Sequence, residues 1–203
     1  MRLYSIQSTA AYEALLSGGV LRADGRRVWH DFRPQYRWLM AQMRRRLPDY
    51  GGRYPLWAWY SPVPDIEEPG HVPPGEEAVL LEVEIPEGEA ERRVLLSDFD
   101  AWGWCALNYW YMGFDEADYE RFVERARERA PSVRYEEMSS ELQAEVRASW
   151  NQMFDLEACR GSIYSDASGE APQPVQAVLE EIKLGEVVRV RHFKGAPDPI
   201  LDY

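Results

Sequence analysis

Ser97-Asp98-Phe99-Asp100 places two carboxylates and a hydroxyl directly after the apolar run Val94-Leu95-Leu96 and directly before the aromatic run from Trp102 to Tyr111. Carboxylates presented at a strand end can act as general acids or bases. The same residue types cap helices, because Ser and Asp side chains accept hydrogen bonds from the free N–H groups of a first turn. Capping of a helix through Trp102 to Trp110 is the stronger expectation for Ser97, Asp98 or Asp100. The second chemical feature is aromatic. Trp57, Trp59 and Tyr60 lie within Tyr54-Pro-Leu-Trp-Ala-Trp-Tyr60, and Trp102, Trp104 and Trp110 follow later. Indoles bury large areas and keep one polar N–H, so such clusters build a core wall or line a pocket for a flat ligand.

Other chemistry is poorly supported. His30, His71 and His192 lack a His-x-x-x-His spacing, and Cys105 and Cys159 form no Cys-x-x-Cys pair, so no metal site is expected. Gly18-Gly19 and Gly51-Gly52 match no phosphate-cradling loop, and Gly-x-Ser-x-Gly is absent. With 35 acidic against 23 basic residues the chain carries a formal charge of −12, which repels phosphate backbones and argues against nucleic acid. Arg44-Arg45-Arg46 is expected to complement the carbonyl end of a helix. No apolar run is long enough to cross a bilayer, no signal-peptide core is visible, and two unpaired cysteines suit a reducing compartment. A cytoplasmic protein without membrane association is expected.

The positioning elements follow from periodicity. Arg2 to Gln7 reads as a strand, Ser8-Thr9 as a cap, and Tyr12, Leu15 and Leu16 as a helix face stopped by Gly18-Gly19. Phe32, Tyr36, Leu39, Met40, Met43 and Leu47 recur at helical spacing, with Pro34 in the first turn and Pro48 beyond the end. Tyr54 to Tyr60 reads as a buried strand. Ser61 to Glu77 carries five prolines and reads as an exposed loop suited to a lid. Val79 to Ile85 alternates as a strand with one apolar face, and a turn over Pro86 to Glu91 is expected to return it as Val94 to Ser97 in a hairpin. Helices are expected from Asp115 and from Ser139 or Ser140, the latter with Ser140 and Gln143 as a capping box. Gly161 to Pro174 reads as a flexible connection, before strands over Val175 to Ile182 and Val187 to Phe193. A boundary near Gly113 would leave the late strands unpaired. The expected fold is therefore a single α+β domain, with a mainly antiparallel sheet flanked by amphipathic helices.

Two resemblances add to this. Arg2-Leu-Tyr-Ser-Ile-Gln-Ser8, Pro55-Leu-Trp-Ala-Trp-Tyr60, Val94-Leu-Leu-Ser-Asp-Phe-Asp-Ala-Trp102 with Leu107-Asn108, and Val175-Gln-Ala-Val-Leu-Glu-Glu-Ile182 resemble, over nearly the whole chain, a bacterial family known only as a domain of unknown function. That resemblance implies no activity. Leu3-Tyr-Ser-Ile-Gln7 followed by a helix and Ser17-Gly-Gly-Val-Leu21, with Gln176-Ala-Val-Leu-Glu-Glu-Ile-Lys-Leu-Gly-Glu-Val-Val188 at the close, is similar to ADP-ribosyltransferases of the RNA 2′-phosphotransferase type.

The second resemblance implies an ADP-ribosyltransferase-like fold, in which the sheet is split, and a pocket for NAD between the first and last strands. Ser5 or Gln7 stands where that family has a histidine or arginine, and Gln176 where it has a glutamate. An amide can hold a ribose hydroxyl but cannot serve as a base, so Glu180, Glu181 or Asp98 would have to supply the carboxylate. The expected site accordingly has Gln176, Asp98 and Glu180 in catalytic roles, Ser5 and Gln7 as polar cofactor contacts, and Trp57 and Tyr60 as a stacking wall for nicotinamide or adenine. The alternative is a non-catalytic acidic protein that engages a protein partner, for instance through the 61–77 loop.

Overall fold

In the computed structural model, which describes residues 1–160 and 173–197, Leu3 and Ser5 are fully buried while Tyr4 and Ile6 are half-buried. This alternation belongs to strand β1, Arg2–Ser8. Ser8 caps the next helix, its Oγ accepting from the Ala11 N–H at 3.3 Å. Helix α1, Thr9–Gly18, ends at Gly19, whose φ of 72° is a left-handed conformation that glycine adopts without a Cβ clash. Strand β2, Val20–Arg22, follows. Helix α2, Arg33–Arg46, takes Pro34 in its first turn, where no intrahelical donor is lost, and ends in Arg44-Arg45-Arg46 as expected. Its inner face buries Leu39 and Met43 together with Gln35 and Gln42.

Strands β3, Leu56–Ser61, and β4, Glu77–Glu84, flank the proline-rich loop. The expected hairpin after β4 does not form. Glu87–Arg93 is helix α3, with Glu87 and Glu89 in its first turn, Arg92 and Arg93 in its last, and an Arg93–Glu89 ion pair one turn apart. Those charges complement a helix dipole and outweigh the turn signal of Pro86 and Gly88. Strand β5, Leu95–Asp98, leads out of α3. The late strands are β6, Val175–Leu179, β7, Glu181–Lys183, and β8, Val187–Lys194.

The chain divides into two compact units: residues 1–95 together with the chain from Gln176 onward, and residues 96–175. Strands of the first unit lie in the order β6-β3-β1-β4-β8. β1 runs antiparallel to β3, with Tyr4 opposite Trp59, and antiparallel to β4, with Leu3 opposite Val83, Ser5 opposite Leu81 and Gln7 opposite Val79. β4 runs antiparallel to β8, so both its edges are taken and no place is left for a hairpin partner. β2 and β7 pair antiparallel in a small second sheet. The architecture is α+β and mostly antiparallel, as expected. β4 buries Ala78 through Leu81 and Val83, so both its faces are covered rather than one. Edge strand β8 exposes Arg189, Arg191 and Lys194, charges that discourage addition of a foreign strand.

In the second unit Phe99–Ala101 forms a short helix α4 that widens into a π-helical turn over Trp102–Ala106, instead of one regular helix to Trp110. The Asn108 side-chain amide donates to the carbonyls of Gly103 and Trp104 and closes this turn, and Tyr109 follows with a φ of 58°. Helix α5, Glu116–Arg129, is capped by Asp115. Helix α6, Ser140–Ser149, is capped by Ser139, whose Oγ accepts from the Leu142 N–H at 3.3 Å. The expected Ser140 and Gln143 box is absent, because Gln143 turns to donate to the Tyr135 carbonyl at 2.9 Å. Helix α7, Leu156–Cys159, completes the unit around buried Phe122, Leu142, Trp150 and Met153. The connection expected over Gly161 to Pro174 lies outside the described residues as far as 172.

Candidate functional site

The first unit holds a cleft of about 650 Å3 at the end of β1 and the start of β3. Its wall is aromatic. Trp57 enters from β3 and Tyr36 from α2, with the Trp57 Nε1 donating to the Tyr36 hydroxyl at 2.8 Å. Trp29 and Phe32, from the short turns ahead of α2, stack on each other with centroids 5.9 Å apart and planes 16° from parallel. Trp29 is 75% exposed. An indole this open is an unusual use of apolar area on a protein surface and is the kind of ring that a flat ligand can cover.

Polar groups border this wall. Gln7 lines the cleft at the end of β1, and its Nε2 donates to Ser5 Oγ at 2.8 Å. Ser5 in turn donates to the Trp57 backbone carbonyl at 2.8 Å. Arg22 and Arg27 contribute two guanidinium groups and Asp24 one carboxylate. Arg22 is held by Glu181 through Nε and Nη2 at 3.0 and 2.7 Å. Asp24 accepts from the Arg26 side chain, and this charged hydrogen bond lowers its carboxyl from 3.8 to about 2. Burial of the Tyr36 phenol raises its pKa, and the hydrogen bond from Trp57 opposes that rise. The cleft therefore combines a stacking surface, an anchored amide and local positive charge on an otherwise acidic chain.

Of the residues expected at the site, Gln7 and Trp57 line this cleft and Ser5 supports both from beneath. Tyr60 does not line it. Along a strand, residues three apart point to opposite faces, so Trp57 and Tyr60 cannot form one wall. Gln176 lies on β6, buried, and is not part of the cleft lining. Glu180 follows β6 and accepts the backbone N–H groups of Gly51, at 2.6 Å, and Arg53. It thereby fastens the Gly51-Gly52 loop. It also borders a separate cavity of about 310 Å3 with Tyr50, Asp49, Arg92 and Lys183. Tyr50 there is raised to about 12, by burial first and by the Glu180 charge second. The charges around that cavity largely pair with one another, Arg92 with Asp49 at 2.6 Å and Arg93 with Glu186 at 2.6 Å.

Asp98, in the second unit, is 2% exposed. Its Oδ1 accepts the Ala101 N–H at 2.8 Å and its Oδ2 the Gln173 side-chain amide at 2.8 Å. It caps a helix, the reading favoured from sequence. Among the described residues no group of His, Cys, Asp and Glu is arranged to hold a metal ion, and no helix is long and apolar enough to cross a membrane.

Sequence reasoning missed Trp29, Arg22, Arg27 and Asp24 as site residues, and placed Phe32 and Tyr36 only on a packing face. The available signal was Trp29 itself, a large ring outside any amphipathic period, next to the charge cluster Arg22-Ala-Asp-Gly-Arg-Arg27.

No curated protein matches this chain, and neither does any solved structure. The model of one family, described as "Domain of unknown function (DUF3841)", matches residues 2–188. That match spans nearly the whole polypeptide, the α+β core and the aromatic cleft included, and the chain belongs to the DUF3841 family.

Proposed function

We propose that the cleft of the first unit is a nucleotide-binding site that takes NAD, in a protein of ADP-ribosyltransferase-like type. One observation carries this reading: an open aromatic wall, an anchored amide and two arginines share a cleft of about 650 Å3, a size suited to a small ligand or cofactor. Trp29, Phe32 and Trp57 would stack on a ring, and Arg27 and Arg22 would meet the phosphates. The sequence resemblance to ADP-ribosyltransferases of the RNA 2′-phosphotransferase type supports NAD over other nucleotides.

Binding is better supported than transfer. Among the described residues lining the cleft the only carboxylate is Asp24, and its tie to Arg26 makes it a weak base. Titration of the purified protein with NAD, followed by tryptophan fluorescence and calorimetry, tests the reading. Saturable binding that weakens in Trp29→Ala and Arg27→Ala supports it, and absence of binding to any adenine nucleotide sinks it. NAD consumption is measured alongside.

A second reading is a protein-interaction role without catalysis. It is favoured by the second unit, where Trp104 and Trp110 stack at 6.3 Å while both stay more than half exposed, as does Phe114. A stoichiometric partner bound by the wild type and lost in Trp104→Ser would support it.

A further inference from the structure

We propose that Gln7 sets the specificity of the cleft: it is an oriented hydrogen-bond acceptor that selects ligands whose flat ring carries an exocyclic amino group over ligands with a carbonyl or carboxylate at that place. The inference rests on the nucleotide reading above and deepens it.

The physical basis is an amide that is not free to turn over. Ser5 is fully buried, and its single O–H donates to the Trp57 carbonyl oxygen at 2.8 Å. A hydroxyl has one proton, so toward Gln7, also at 2.8 Å, Ser5 Oγ can only accept. Gln7 must therefore present its NH2 group to Ser5 and direct Oε1 the other way. The reverse orientation would set two oxygen lone pairs face to face. Oε1 receives no hydrogen bond among the described residues, and it is not a sealed atom, so it reaches solvent. Gln7 lines the cleft in company with Trp57 and Tyr36.

Its neighbours do not duplicate this function. The Tyr36 oxygen already accepts from the Trp57 Nε1, Asp24 is engaged by Arg26, and Arg27 can only donate. An amino group in the plane of a ring stacked on the wall would donate to Oε1. A carbonyl or carboxylate there would press oxygen against oxygen and strip water from an acceptor without replacing it. A dinucleotide of the NAD type carries such an amino group at both ends, in the carboxamide of nicotinamide and on carbon 6 of adenine.

Two analogues separate these ends. Nicotinic acid adenine dinucleotide replaces the carboxamide by a carboxylate, and nicotinamide hypoxanthine dinucleotide replaces the adenine amine by a carbonyl. The full chain is titrated with NAD and with each analogue. One analogue is expected to bind roughly tenfold or more weakly than NAD, and the other as NAD does. Gln7→Leu is expected to close the gap from both sides, weakening NAD by loss of its acceptor and relieving the oxygen–oxygen contact of the weak analogue. Ser5→Ala frees the amide to rotate and is expected to narrow the gap between the two ligands. Because Ser5 also bonds across β1 and β3, its melting temperature is recorded, and Gln7→Leu is the deciding variant. Equal binding of all three ligands to the wild type overturns the assignment of Gln7 while the nucleotide site stands, and so does an undiminished gap in Gln7→Leu. Failure of all three to bind overturns both.

Discussion

The indole Nε1 of Trp57 donates to the Tyr36 hydroxyl oxygen across 2.8 Å, and the two rings meet edge to face with centroids 6.1 Å apart at 85°. This contact fixes helix α2 to strand β3 at the wall of the cleft. Tyr36→Phe keeps the ring and removes the oxygen. Stability is expected to fall by about 1 kcal/mol, read as a lower denaturant midpoint with an unchanged slope. A midpoint equal to that of the wild type would show that the bond contributes no net stability.

Glu180 separates a structural carboxylate from a catalytic one. Two backbone N–H groups, of Gly51 and Arg53, converge on it, and hydrogen bonds to a charged group are stronger than neutral ones. Glu180→Ala is expected to lose about 2 kcal/mol of stability while NAD affinity stays at the wild-type level, since Glu180 is not part of the cleft lining. Loss of affinity in a folded variant would return Glu180 to the site.

Asp98→Ala removes both the cap on Ala101 and the acceptor for Gln173. With the side chain 2% exposed, the expected cost is about 2 kcal/mol, measured by thermal or denaturant unfolding. Asp98→Asn keeps an oxygen for the Ala101 N–H and is expected to cost less. An Asn variant as damaged as the Ala variant would mean that the charge, not the cap, matters most.

The two cysteines are buried, and the Cys159 thiol is pushed up to about 12, by burial first and then by the charges of Asp98 and Asp155. A thiol in that state is almost entirely protonated at pH 8 and is a poor nucleophile. A thiol-reactive disulfide is therefore expected to label no cysteine in the native protein and both after unfolding. Rapid labelling of the native protein contradicts the burial.

Asp24 adds a defined acid sensitivity. Its folded pKa of about 2 lies below its ordinary value of 3.8, so the stability it contributes is present above 3.8 and is lost as pH falls through about 2. Asp24→Asn is expected to make the loss of stability across that interval shallower, as measured by urea midpoints at stepped pH. An unchanged slope would show that the Arg26 contact does not persist in solution.

Much of the fold was legible because it is written in short-range chemistry. Ser8, Gly19, Asp115 and Ser139 each mark a helix boundary through bonds to backbone within a few residues, and Pro34 marks one by lacking an N–H that the first turn does not need. The hairpin failed because strand pairing is a long-range choice: β4 is matched by β1 and β8, and nothing local to Val79–Ile85 announces either. The site divides along the same line. Gln7 and Trp57 could be placed on strands and assigned to a pocket, whereas Trp29 and Arg27 reach it only through tertiary packing. Glu180 resembles any free acid in sequence, yet its partner Gly51 lies 129 positions away.

Gly195 leaves no room for a side chain, since a Cβ there would lie 2.1 Å from the Pro73 carbonyl oxygen. Its backbone also exchanges hydrogen bonds with Glu76 and Gly75, both at 2.9 Å. The proline-rich stretch between β3 and β4 is thus buttoned to the chain at its far end, like a flap sewn along one hem.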